Sequence, residues 1–304
     1  MSDQASSVVG LLQEAVAASA QTRPAGESLL VGLIGRGIQS SRSPAMHERE
    51  ATRLGIGCSY ILLDFDRLDL PDEALPAVVA AAPQLGFRGF NVTHPFKQQI
   101  VPLLDALSPA AAAIGAVNTV VYAGARTSGH NTDSWGFAES FRQGLPAVRL
   151  DRVVQFGAGG AGAAVVHALV QMEAAEIAIV DVDAERARAL AERMRLLSDS
   201  SIDCATDIET SLAMADGIVN TTPVGMTKYP GLPFAVELLQ PRHWVAEVVY
   251  FPAETELLRR ARALGCHTLA GSGMAIAQAA RAFELFTGRA ADLRAMAAHF
   301  EAAA

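Results

Sequence analysis

Apolar and polar positions along this chain fall into blocks that predict short buried strands separated by amphipathic helices. Leu29-Leu30-Val31-Gly32-Leu33-Ile34-Gly35 is apolar with no helical period and predicts a strand. A helix is expected over 45–54, a strand over 60–65, a helix over 72–84 and a strand over 87–93. His94-Pro95-Phe96-Lys97 then opens a helix to about Leu107, and 115–122 reads as a further strand. A helix over 134–143 ends at Gly144-Leu145-Pro146. Val153-Val154-Gln155-Phe156 and Ile177-Ala178-Ile179-Val180 read as buried strands flanking an alanine- and valine-rich helix over 163–172. Helices over 184–197 and 208–215 follow, with a weak segment around Ile202. A strand meeting a loop over 217–223, a strand over 243–250, a helix over 255–264, an extended piece over 267–271 and amphipathic helices over 274–287 and 291–302 complete the chain. Strands alternating with helices imply an α/β protein with mostly parallel sheets. Residues 1–28, rich in Ala, Ser and Gln, have a helical period over 8–20 but carry no chemistry, and are expected to form a peripheral N-terminal extension.

The stretch from Val153 to Asp181 is the most informative. Gly157-Ala158-Gly159-Gly160-Ala161-Gly162 has the spacing G-x-G-x-x-G and lies between a strand and a helix. Those glycines suit a tight turn, close approach of backbone to a pyrophosphate, and close packing of helix on strand. The helix N-terminus offers unpaired N–H groups and the positive end of a dipole. Asp181 closes the second strand, where a carboxylate accepts hydrogen bonds from both hydroxyls of an adenine ribose but repels a 2′-phosphate. No Arg or Lys stands at Val182 or Asp183, so NAD is expected over NADP. Arg186 either lies against the adenine or solvates its helix.

Composition narrows the class without naming a reaction. The 304 residues suffice for two domains, and a net charge of −8 argues against nucleic acid as the main partner. A small anion is not excluded by that sum, since local cations bind it. Cys58, Cys204 and Cys266 are odd in number and scattered, as in a reducing compartment. With no apolar run of membrane length and no basic region before a hydrophobic core at the start, a cytoplasmic protein is expected, with no membrane partner.

The remaining chemistry lies in polar residues outside the glycine loop. Pro44 suits a first helical turn and Ser43 an N-cap, whereas Ser41 has no capping role, and two hydroxyls beside a helix start suit a carboxylate. Lys97 is placed in a first helical turn against the helix dipole; it either has a chemical task or is a solvated lysine. Asp133 precedes a helix, as an N-cap does. Small polar residues at the C-terminal end of the strand within Gly217-Ile218-Val219-Asn220-Thr221-Thr222-Pro223 can approach the nicotinamide side of a dinucleotide. The seven histidines show no metal spacing, and no G-x-S-x-G marks a hydrolase.

Taken together, Ser41-Arg42-Ser43-Pro44, Asn91-Val92-Thr93-His94-Pro95-Phe96-Lys97, Gly115-Ala116-Val117-Asn118-Thr119, Asn131-Thr132-Asp133, the glycine loop, Asn220-Thr221-Thr222-Pro223 and 274–278 resemble the shikimate/quinate dehydrogenase family. The resemblance runs in family order from about Leu29 to Ala304. It implies a Rossmann-type dinucleotide-binding domain (134–273) inserted into a discontinuous α/β substrate domain (29–133 and 274–304), with the substrate in the cleft. The implied reaction is reversible oxidation of the C3 hydroxyl of shikimate or quinate, a small cyclohexene or cyclohexane carboxylate, with hydride passed to a nicotinamide. By resemblance, Lys97 and Asp133 are the catalytic pair. Ser41 and Ser43 hold the carboxylate with Tyr250 nearby, and Thr93, Asn118 and Gln278 bind ring hydroxyls. Gly157, Ala158, Gly159, Gly160, Ala161 and Asp181 take the cofactor, while Thr221, Val248, Gly273 and Met274 line its nicotinamide half.

Two departures bear on subclass. Asp181-Val182-Asp183 stands where NADP-using members carry Asn-Arg-Thr, and with His94 it resembles the NAD-using quinate/shikimate dehydrogenases. Ala270-Gly271-Ser272-Gly273 replaces the more usual Asp-Gly opening of the last motif. A monomer or homodimer is expected. The other readings are dehydrogenation of a close analogue such as an aminoshikimate, and a catalytically silent sensor of the same ligands. Retention of both Lys97 and Asp133 speaks against the sensor, which needs no proton transfer.

Overall fold

In the computed structural model, which describes residues 3–20 and 28–302, the chain packs into two compact units. One comprises Met1–Thr132 and Ala279–Ala304, the other Asp133–Gln278.

The first unit is built on a six-stranded sheet of order β2-β1-β3-β5-β6-β4. Helix α1 spans Asp3–Ala20, β1 Ser28–Gly35, α2 Ser43–Arg53, β2 Gly57–Asp64, α3 Leu75–Ala81 and β3 Gly89–Val92. Then come α4 Phe96–Gln99, β4 Ala106–Leu107, α5 Pro109–Ile114, β5 Thr119–Ala123 and β6 Arg126–His130. Strands β1, β2 and β3 are parallel, whereas β5 runs antiparallel to both β3 and β6. Helix α1 is not peripheral to this packing. Its Val8 and Leu12 are buried in one hydrophobic cluster with Leu75, Val78, Phe87 and Phe90, so its apolar face is part of the core. Residues 21–27, with Pro24 and Gly26 at the end of the expected extension, lie outside the described residues.

Prolines shorten the helices expected here. The segment 72–84 is a 3₁₀ turn, a seven-residue α3 with Pro76, and a second 3₁₀ turn over Ala82–Leu85 containing Pro83. The helix opened by Phe96 stops at Gln99, and Val101–Leu103 is 3₁₀ because Pro102 lacks the N–H that a longer helix needs. Lys97 therefore sits in a single helical turn. The dipole argument for a misplaced lysine loses its basis, since one turn has little macrodipole.

The C-terminal part of the first unit packs on α2. His47 is fully buried against Tyr60, Phe283 and Phe286, and its Nδ1–H donates to the Ser43 carbonyl at 2.9 Å. Burial pushes its imidazole down to about 4, with the Ser43 bond opposing. The folded protein thus holds His47 neutral, while the unfolded chain takes up a proton near the ordinary value. Stability should fall as pH drops from about 6.5 toward 4, by about 2 kcal/mol between about pH 7.5 and about pH 5. Urea denaturation at those two pH values measures the loss, and His47→Leu should flatten it; equal slopes in both proteins would exclude His47 as the cause.

The second unit carries α6 Thr132–Gly144, β7 Arg152–Phe156, α7 Gly160–Gln171, β8 Glu176–Val180, α8 Ala184–Arg195 and β9 Ser201–Cys204. It continues with α9 Ile208–Met214, β10 Gly217–Asn220, β11 Trp244–Glu247, α10 Glu256–Leu264, β12 His267–Leu269 and the start of α11 Gly271–Thr287; α12 Leu293–Ala302 returns to the first unit. Its sheet, of order β12-β11-β10-β7-β8-β9, is parallel throughout. Numbered from β7, that order is 3-2-1-4-5-6 of the doubly wound dinucleotide fold, and strand order reverses between β7 and β10. Ligands of open α/β sheets bind at such a switch point, outside the carboxyl ends of the strands.

Candidate active site

In the first unit, the predicted substrate residues collect along one edge of the sheet. Ser41 and Ser43 follow the C-terminal end of β1, and Thr93 and Lys97 follow that of β3, its parallel neighbour. Because β5 is antiparallel to β3, Asn118 enters β5 at the same edge, where the Val92 N–H donates to its carbonyl at 2.8 Å. Strand β6 returns there, and Thr132 and Asp133 follow it.

Ser43 is not an N-cap. It is the first residue of α2, the cap position is Arg42, and no side chain closes the turn there. Ser41 supplies a cap-like contact instead: its Oγ accepts the Ser43 N–H at 3.3 Å. The loop ahead of both serines is held by Asp64, which is 2 % exposed. Its carboxylate accepts the Gly37 and Ile38 N–H groups at 3.0 and 3.1 Å and the Gln39 amide at 3.0 Å. Burial alone would raise its pKa, but these donors and the Asp66 N–H outweigh it and hold the group below the ordinary carboxylate range. Asp64 is a positioning residue, and in sequence it is one polar residue within the strand expected over 60–65.

Asn118 is buried and committed on both sides of its amide. Its Oδ1 accepts the Thr132 N–H at 2.7 Å, and its Nδ2 donates to the Thr132 hydroxyl at 2.9 Å. The network extends through Thr119 to Asn91, whose Oδ1 accepts the Tyr60 hydroxyl at 2.8 Å. Asp133, 7 % exposed, lies in the first turn of α6 rather than at its cap. The Asn118–Thr132 bonds therefore fix the backbone one residue before it. Lys97 is half-buried, and its carbonyl accepts the Val117 N–H at 2.8 Å, tying its turn to the segment that carries Asn118. Thr93 is half-buried after β3, with its N–H on the Ile34 carbonyl at 2.9 Å.

In the second unit the glycine loop spans the switch point. Gly157 has φ +100°, and a Cβ there would lie 2.6 Å from the Thr221 Oγ1. Thr221 Oγ1 donates to the Phe156 carbonyl at 2.7 Å and lies 3.0 Å from that of Gly157, pinning the ends of β7 and β10 together. A Cβ on Gly162 would overlap the Gly157 carbonyl oxygen, whereas one on Gly159 would meet nothing within 4 Å. Gly159 is the N-cap of α7, followed by Gly160 and Ala161 in the first turn. The loop thus presents an open backbone surface in front of a helix N-terminus, which fits a pyrophosphate. Gln155, fully buried beneath it, donates from Nε2 to the carbonyls of Gly157 and Gly162 at 2.9 and 3.0 Å. The only signal for Gln155 was a polar residue interrupting an apolar strand.

Asp181 follows β8 and reaches the glycine loop. Its Oδ2 accepts the Ala158 N–H at 2.7 Å and its Oδ1 the Asp183 N–H at 2.9 Å, so the carboxylate faces the loop with lone pairs to spare. Arg186, mostly exposed, approaches Asp181 at 3.9 Å and Asp183 at 3.6 Å. Val248 is half-buried just past β11, and Tyr250 is 40 % exposed two residues on. Helix α11 begins at Gly271, three residues before the expected start, so Gly273 and Met274 are helical. A Cβ on Gly273 would overlap the Ser140 Oγ of α6. Gln278, half-buried in α11, donates from Nε2 to the Ala275 carbonyl at 3.0 Å and is the last residue of the second unit. Among the described residues no cluster of His, Cys, Asp and Glu is arranged to hold a metal, and no helix is long and apolar enough to cross a membrane.

Residues 33–120 match the shikimate dehydrogenase substrate binding domain, and 271–299 match the shikimate 5′-dehydrogenase C-terminal domain. A Streptomyces avermitilis protein named shikimate dehydrogenase (NADP(+)) is 56 % identical over 90 % of this chain and 94 % of its own. A Corynebacterium glutamicum quinate/shikimate dehydrogenase (NAD(+)) is 47 % identical over 89 % of this chain and 97 % of its own. The solved structure of a C. glutamicum quinate dehydrogenase in complex with NAD superposes with a TM-score of 0.86 at 47 % identity, covering 91 % of this chain and all of that one.

Proposed function

This chain belongs to the shikimate/quinate dehydrogenase family, and from that premise we propose that it oxidises the C3 hydroxyl of shikimate, quinate or both, reversibly and with NAD. The observation that carries the reading is the gathering of Ser41, Ser43, Thr93, Lys97 and Asn118 on one sheet edge, with the backbone leading into Asp133 bonded to Asn118.

The roles follow from the chemistry of each group. Ser41 and Ser43 hold the substrate carboxylate, with Tyr250 assigned to the same end. Thr93, Asn118 and Gln278 accept or donate to ring hydroxyls and so orient the ring. Lys97 takes the proton from the reacting oxygen at its Nζ, and Asp133 fixes that hydroxyl and the ammonium formed. When bound, nicotinamide supplies the hydride acceptor. The loop from Gly157 to Ala161 holds the pyrophosphate, Asp181 the adenine ribose with Arg186 beside it, and Thr221, Val248, Gly273 and Met274 the nicotinamide half.

The choice of NAD rests on Asp181. Its carboxylate accepts ribose hydroxyls, and a 2′-phosphate brought to it would meet like charge from both Asp181 and Asp183. Relatives using each cofactor lie close by, so the residue has to be tested directly. Asp181→Ala should lower kcat/KM with NAD about tenfold and raise that with NADP, since Arg186 is then left to a phosphate. A wild-type preference for NADP would overturn this assignment.

The activity is tested by initial rates of reduced-cofactor formation at alkaline pH, with shikimate and quinate each paired with NAD and NADP. Turnover of either acid with NAD is the expected result. Silence in all pairings, with both acids still raising Tm, would overturn the enzyme reading in favour of a ligand sensor.

A further inference from the structure

One buried carboxyl lies beneath both loops at the carboxyl ends of β10 and β11. Glu247, 2 % exposed, ends β11 in register with Asn220 at the end of β10. Asn220 Nδ2 approaches its two oxygens at 3.0 and 3.1 Å, the Val249 N–H donates to Oε1 at 3.0 Å, and the Thr255 hydroxyl donates to Oε2 at 3.1 Å. Asn220 passes the constraint on. Its Nδ2 also donates to the Val224 carbonyl at 2.9 Å, and its Oδ1 accepts the Thr222 N–H and hydroxyl at 3.1 and 2.7 Å. The Val248 N–H donates to the Asn220 carbonyl at 3.1 Å. The segment after β10 and the segment after β11 are thus braced to each other through one carboxyl. Burial pushes that carboxyl up to about 7, the donors from Asn220, Val249, Thr255 and Val248 acting against it.

An apolar side chain would fill this place without the cost of burying a carboxyl. What the carboxyl adds is a fixed position for Thr221 and Val248, which flank the brace. Strand order places those two residues opposite the adenosine side: Asp181 follows β8, the glycine loop follows β7, and β10 and β11 continue away from them. We propose that Glu247 is a positioning residue for the nicotinamide half of the cofactor, holding the loops that carry Thr221 and Val248 while touching neither cofactor nor substrate. This rests on the cofactor assignment made above.

Glu247→Gln keeps the volume and one acceptor for Asn220, but its amide N–H then faces Asn220 Nδ2 and either the Thr255 hydroxyl or the Val249 N–H, which loosens the brace. Calorimetric titration should show NAD binding weakened about tenfold, with ADP-ribose, which lacks the nicotinamide, changed by less than about twofold. Thr222→Val removes the two outer, half-buried bonds of the hydroxyl, to Asn220 Oδ1 and from the Val224 N–H, without touching the core. It should weaken NAD about threefold and leave ADP-ribose alone. Equal losses for NAD and ADP-ribose would show a merely structural role, and no loss for either would show none; both overturn the proposal. Wild-type turnover, run alongside, tests the enzyme reading separately, because the binding comparison decides on Glu247 whether or not the protein turns over.

Discussion

Lys97→Ala will lower kcat by about 10²- to 10⁴-fold, with a smaller change in KM for the acid. Oxidation of an alcohol sends hydride to the cofactor and leaves a proton that must go to a base within hydrogen-bond reach. Among the residues assigned to the substrate side, Lys97 and Asp133 are the ones assigned to the reacting hydroxyl that can take it, Tyr250 being assigned to the carboxylate end. The substitution should spare the fold. The bond that ties its turn to the neighbouring segment, from the Val117 N–H to the Lys97 carbonyl, is made by backbone and survives in alanine. Lys97→Arg should not rescue activity, because a guanidinium stays protonated and cannot act as a base. Steady-state rates for the three proteins, with Tm to confirm folding, make the test. Near-normal turnover in Lys97→Ala would remove the residue from the mechanism.

Gly162→Ala will weaken NAD binding about 10²-fold, corresponding to the upper part of the 1–3 kcal/mol that overpacking typically costs. The new methyl would overlap the Gly157 carbonyl oxygen and lie 3.0 Å from Gln155 Nε2. Backbone cannot swing aside as a flexible side chain would. Relief requires moving the turn at Gly157 or the start of α7, and either movement disturbs the Asp181–Ala158 bond as well. Tm should drop for the same reason. Gly159→Ala offers the contrast, since its methyl meets no protein atom within 4 Å and the backbone there, φ −75° and ψ −166°, suits alanine. It should leave Tm unchanged yet still weaken NAD, because the space it fills is the phosphate approach. Equal Tm losses in both variants would refute this division of labour among the glycines.

The dinucleotide half of the site was legible because its contacts are local in sequence. A turn with positive φ, a helix N-terminus and an acid at the next strand end follow one another within a single βαβ unit, so spacing alone carries the geometry. The substrate half was legible from motifs, each of which follows or leads into a strand at one edge of the first sheet. Helix ends were read less well. Pro76, Pro83 and Pro102 each interrupt a helix that apolar spacing had extended, and the cap expected of Ser43 fell to the Ser41 hydroxyl.

Sequence by itself determined the alternation of strands and helices, the cofactor loop and the residue types able to hold a carboxylate and move a proton. These depend on side-chain period, on glycine's freedom and on functional-group chemistry, all of which reside in short stretches. Tertiary structure alone decided which buried polar residues brace those stretches. Asp64 under the serine loop, Gln155 under the glycine loop and Glu247 between two strand ends look alike in sequence, as single polar residues within or closing apolar strands. What separates them is the identity of their partners: Gln155 donates to carbonyls of the loop that follows it, whereas the donors to Asp64 and Glu247 include groups from segments brought to them only when parallel strands pair and their carboxyl ends meet at one edge.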